Sequence, residues 1–269
     1  AVRSAEIERA RRKPPTNLSA YDLYLRALHH LWGGTREDIT KAIDLLRQSL
    51  SLDEARSPTL AALAWGLVMA SPLGARTSPD AATEALGLAR RAVEQDGTDA
   101  FAHAVYGFTL FGPAGDNDQG RIHAVEAVRL NPSSAFAWGT LGMIDSMAGD
   151  YENAVTCLHR SLVLSPYDSM LHLWMTGLTA SCFALGRHED GIAWARKSVQ
   201  HNPGNGTGHR MLAANLVAVG RLEEAREITR RRDATQKTTI RDLRAMRFFK
   251  QDDALARYLS AQQVAGVAD

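Results

Sequence analysis

Residues 133–166, SSAFAWGTLGMIDSMAGDYENAVTCLHRSLVLSP, decide how the rest of the chain is read. Trp138, Leu141 and Gly142 fall on a first helix, and Gly149-Asp150 make a turn. Ala154, Leu158 and Ser161 fall on a second helix, and Pro166 closes the unit. A bulky residue followed by Leu-Gly, then small residues, then Pro has a steric meaning. Two antiparallel helices come close only where a side chain is nearly absent.

The unit recurs. Gly115, Gly149, Gly186 and Gly220 mark turns at steps of 34, 37 and 34 residues. Ala85, Gly120, Ala154, Gly191 and Ala225 occupy the close-packing slot, and Pro132, Pro166 and Pro203 close successive units. Turn and closing series both lengthen by three across one junction, which places a short insertion near Tyr167 to Leu171. This pattern resembles the tetratricopeptide repeat, a helix–turn–helix unit of 34 residues. The expected fold class is all-α: a right-handed superhelical solenoid of tetratricopeptide-like antiparallel helix pairs, closed by a C-terminal capping helix pair.

Residues 1–16 are charged and end at Pro14-Pro15, so they read as an arm or linker from an upstream domain. Residues 17–234 carry about five repeats, the first two irregular. A helix capped by Asn17 or Ser19 is predicted to Trp32, and a second from Arg36 to Leu52, with apolar residues at spacings of three and four. The second unit begins at Ser57-Pro58, and its internal link, Ser71 to Pro79, is longer than a repeat turn. Residues 235–269 leave the frame. Ile240, Leu243 and Met246 form one apolar stripe, and Leu255, Tyr258 and Leu259 another, with a break near Gln251-Asp252-Asp253. This is the expected helical cap for the last pair.

Composition excludes several classes. Hydrophobic residues make up 45% and charged residues 23%, which suits a folded chain. The longest apolar run, Leu60 to Ala70, falls short of the roughly 20 residues a bilayer span needs, so no membrane span is expected. Cys157 and Cys182 stand apart on apolar helix faces and suggest core packing in a reducing, cytoplasmic setting. The formal net charge is +1, yet residues 226–250 hold nine Lys or Arg against Glu227, Asp233 and Asp242. That basic end reads first as a solvated helix face and makes no strong case for nucleic acid.

No stretch carries catalytic chemistry. GNGTG at 204–208 follows a helix, lacks a Gly-Lys-Ser/Thr ending and sits on a repeat loop. Asp116, Asn117 and Asp118 lack the Glu a calcium loop needs 11 positions after Asp116, and read as a helix cap. The nine histidines form no metal-binding pair on a helix. The chain is therefore expected to be non-enzymatic, with no cofactor, no metal and no catalytic residue.

What remains is the inner surface, lined by positions 2, 5, 9 and 12 of each first helix. Its candidate partner-binding residues are Val105 and Thr109, then Phe136, Met143 and Ser146, then Leu173, Thr176 and Phe183, then Arg210 and Val217. These are mostly apolar or small and suit an amphipathic helix laid into a groove. Arg210 alone among them can grip a peptide carboxylate, which does not make a carboxylate clamp. The chain's own cap or its N-terminal arm is the other candidate occupant.

Two edge strings carry a further resemblance. AEIERARRKPPTNLSAYDLYLRALHHL at 5–31 and TTIRDLRAMRFFKQDDALARYLSAQQVAG at 238–266 resemble the C-terminal repeat region of bacterial multidomain class III adenylate or guanylate cyclases. Similar regions follow winged-helix domains in transcriptional regulators. The resemblance implies a regulatory or scaffolding half, used in signal transduction, whose output domain lies upstream. It implies a protein or peptide partner in the groove, or else self-association into the dimer such a cyclase needs. A small-molecule sensor is the lesser alternative. No catalytic residue is carried over.

Overall fold

Close approach of small residues builds the whole array. The computed structural model describes residues 19–269 apart from 34, 55, 71–78, 112–115, 235–236 and 247. Among the described residues twelve helices form six consecutive pairs: α1 (Ala20–Leu31) and α2 (Arg36–Leu52), α3 (Ser57–Ala70) and α4 (Pro79–Gln95), α5 (Ala100–Phe111) and α6 (Asn117–Leu130), α7 (Ala135–Ala148) and α8 (Tyr151–Leu164), α9 (Leu171–Ala184) and α10 (His188–His201), α11 (Gly206–Ala218) and α12 (Leu222–Asp233). Two helices follow, α13 (Ile240–Met246) and α14 (Asp252–Val264). There are six pairs where about five repeats were expected, because two irregular pairs precede the four that share the glycine frame. The expected N-terminal arm, most of the long link after Ala70, and Gly115 lie outside the described residues.

The chain divides into two compact units, the first ending at Pro132 and the second starting at Ser133. In the first, α3 packs on both α1 and α5; in the second, α9 packs on both α7 and α11. α3 and α9 are thus inner helices, each sandwiched by its neighbours, and α3 is apolar or small on most faces from Thr59 to Leu67. Outer helices are amphipathic: α8 buries Ala154, Cys157, Leu158 and Ser161. Both cysteines are free and buried, and burial pushes the Cys182 thiol up to about 11.

Local chemistry sets the ends of the helices. Ser19 and Asp22 form a capping box at α1, with Asp22 N donating to Ser19 Oγ (3.2 Å) and Ser19 N to Asp22 Oδ2 (3.1 Å). The loop at 204–208 is a cap as well, since Gly208 N donates to Asn205 Oδ1 at 3.1 Å. Gly149, Gly186 and Gly220 turn the chain between paired helices at φ of 94°, 74° and 79°, which side chains rarely adopt. The three-residue insertion lies just before α9, where Asp168 accepts from Met170 N through its carboxylate (2.8 Å) and from Leu171 N through its carbonyl (3.2 Å).

A buried serine fastens each of three pairs. Ser49, Ser161 and Ser198 on outer helices donate to Ala20, Ala135 and His172 carbonyls in the first turn of their inner partners, at 2.7, 2.8 and 2.7 Å. Exposed ion pairs then join successive outer helices, Arg47 to Glu84 (3.1 Å) and Arg196 to Glu224 (2.6 Å). Each such pair is worth about 0.2–1 kcal/mol, so the array rests on apolar packing and not on its surface charges.

Candidate partner-binding face

The inner helices place the ten candidate residues unevenly. In the first unit, Val105 and Thr109 on α5 are both buried, and Thr109 Oγ1 donates back to Tyr106 O at 2.8 Å. In the second unit Met143, Ser146, Leu173, Thr176, Phe183 and Arg210 are buried. Only Phe136 and Val217 remain half-exposed.

Each buried position has a physical reason. A Cβ on Gly139 would lie 2.5 Å from Trp174, so glycine there admits the indole, which meets Phe136 edge-on at 6.0 Å. Met143 Sδ packs over Gly177. Ser181 Oγ donates to Ser146 Oγ at 2.9 Å, tying α9 to α7. Asn205 donates to Thr176 Oγ1 (2.8 Å) and Ser198 Oγ (3.0 Å), while Thr176 donates to His172 O (2.7 Å). That network is buried between α9, α10 and the α11 cap, and its hydroxyls are spent on structure.

In the second unit the C-terminal segment covers part of this face. Its buried side chains, Ile240, Leu243, Phe249, Leu255, Tyr258, Leu259 and Val267, form one cluster with Tyr151, Ala180, Phe183, Met211 and Ala214. Fully burying such a side chain is worth about 1.5–3 kcal/mol. Phe249 sits at the centre of an aromatic group, 5.7 Å from Phe183, 5.4 Å from Tyr258 and 6.4 Å from Tyr151. Polar contacts fix its register: Gln251 Nε2 donates to Gly149 O (3.3 Å), Arg257 to Ala184 O (3.1 Å) and Gln262 Nε2 to Arg210 O (2.7 Å). Two of these acceptors end inner helices, where carbonyls lack helical partners and a cation is favoured.

This departs from a simple end cap. The segment packs α14 on α11 and also reaches back past α9 to the turn after α7, covering positions 9 and 12 of two inner helices. Phe249 was missed in the sequence. The signal available was the Phe248-Phe249 pair between the two apolar stripes, just ahead of the break expected near Gln251-Asp252-Asp253; α14 begins at Asp252.

Arg210 is not placed to grip an incoming carboxylate. It donates to Thr207 Oγ1 at 2.6 Å with Tyr258 close by, while its Nε has no hydrogen-bond partner. Burial, with Arg232 nearby, holds its pKa below the ordinary arginine value. A cleft of about 460 Å³ remains at the edge of α14, lined by Val217, Ala218, Ala256, Arg257 and Ser260 among others. Among the described residues no three His, Cys, Asp or Glu gather as metal ligands, and no helix is long and apolar enough to cross a membrane.

No family model matches the chain, and neither does any curated protein. Solved structures do. A chain of the APC/C hetero-tetramer Cut9-Hcn1 is 13% identical, with a TM-score of 0.68, over 90% of this chain and 43% of that one. TTC0263, a thermophilic TPR protein in Thermus thermophilus, is 16% identical (TM-score 0.57), over 74% of this chain and 100% of that one. A tetratricopeptide repeat protein from Parabacteroides merdae is 11% identical (TM-score 0.51), over 91% and 98%. The chain thus spans less than half of the Cut9-Hcn1 chain it matches. The fold is all-α, built as a solenoid of helix pairs of the tetratricopeptide type.

Proposed function

We propose that this chain is a non-catalytic protein-interaction module whose inner face takes an amphipathic helix. One observation carries the reading: α9 and α11 already hold such a helix, the chain's own α14, with Tyr258 and Leu259 inward and Ala256, Arg257 and Ser260 outward. A partner helix reaches Phe183, Arg210 and Val217 by displacing that segment. Met143 and Phe183 are core residues, so charge placed there unfolds the chain and tests nothing about binding.

The setting we propose is a regulatory region attached to an output domain, as in cyclase-type signalling proteins; the strings at 5–31 and 238–266 support it. The test uses a labelled synthetic peptide of residues 238–269 added to the full chain. Wild type is expected to bind it weakly, because the site is filled. Phe249→Ala, or the milder Gln251→Ala/Arg257→Ala, is expected to bind it measurably more tightly, and Val217→Asp in either background to abolish the gain. Folded variants that bind no peptide contradict the reading.

A further inference from the structure

Many exposed cations in this chain have a carboxylate partner. Several exposed arginines are matched: Arg129 with Glu126, Arg187 with Glu152, Arg226 with Glu223, and Arg230 and Arg231 with Glu227. Around α13 the matching stops. Lys237, Arg241, Arg244 and Lys250 are all exposed, and none has an ion-pair partner among the described residues. The one acid between 234 and 250 is Asp242. Its carboxylate is engaged, accepting from Thr239 N (3.0 Å) and Thr239 Oγ1 (2.9 Å).

The helix is held so that these cations face out. Ile240 and Leu243 are buried in the core beneath, and Ile240 N donates to Ala268 O at 2.8 Å. Arg241 and Arg244 are exposed beside that buried edge and stand one turn apart, a spacing that carboxylates at i and i+3 or i+4 on another helix reproduce. We propose that this face docks an acidic helical segment of a protein partner. It lies on the outward side of the C-terminal segment and stands apart from the groove reading.

A peptide fits better than a nucleic acid for two reasons. Phe249 is buried and Phe248 half-buried, so the face offers no exposed ring on which bases stack. Of the chain's 31 Lys and Arg and 30 Asp and Glu, nine and three fall between 226 and 250, so the remainder is net acidic. A long polyanion meets that remainder, whereas a short acidic helix touches only the patch.

The probe is a short labelled helical peptide with glutamates at i, i+3, i+4 and i+7, titrated by fluorescence anisotropy at low salt against the full chain. Expected is saturable binding that weakens as salt rises, and that falls roughly tenfold or more in Arg241→Glu/Arg244→Glu. Arg241→Gln/Arg244→Gln gives an intermediate loss, and circular dichroism shows both variants folded. Arg36→Glu/Arg160→Glu, reversing two exposed arginines elsewhere, changes binding little. An equal loss in that control, absence of peptide binding, or tighter binding of a single-stranded oligothymidylate overturns the proposal.

Discussion

Gly142 shows how one absent side chain decides a helix pair. A Cβ there would lie 2.6 Å from Leu158 Cγ and 3.1 Å from Ala154 O, and backbone cannot yield as a side chain can. Gly142→Ala is expected to destabilise the chain by about 1–3 kcal/mol in chemical denaturation. Leu-Gly at this spacing was legible in the sequence because it is local. Histidines act differently. Burial first, then neighbouring His103, lowers the pKa of His123; burial is also the leading cause for His172, with His201 adding to it. A lowered folded pKa means the unfolded chain binds more protons, so stability is full above 6.5, the ordinary histidine value, and is lost as pH falls through the lower folded values. Asp96, Glu126 and Glu224 have lowered pKa values and act only below 3.8 to 4.5, outside that window. The melting temperature is therefore expected to drop as pH falls from 6.5 to about 5, and to drop less in His172→Gln.

At the scale of elements, helix limits were legible where apolar spacing and caps coincide. The predicted span Arg36 to Leu52 is α2 as observed, and the insertion near Tyr167 is the turn in which the Asp168 carboxylate accepts from Met170 N just before α9. The burial of the inner face was not legible. Phe183 looks like a groove residue from its own repeat, because the residues that cover it, Phe249 and Tyr258, lie outside the repeat period. The serine clips were hidden for a related reason: a serine on an amphipathic helix declares no partner until the inner helix is placed beside it.

For the whole molecule, the repeat frame defines architecture while its departures define what can bind. Six helix pairs leave little inner surface open where the structure describes it, and the unmatched cations sit on the segment that closes the second unit. The central claim is that the C-terminal segment occupies the inner face of that unit. Hydrogen–deuterium exchange with mass spectrometry, comparing wild type with Phe249→Ala, tests it most directly. Faster exchange is predicted in 143–152 and 176–186, far upstream of the substitution, because Phe249 packs on Tyr151 and Phe183 there. Faster exchange confined to 238–269, with those upstream helices unchanged, contradicts the account.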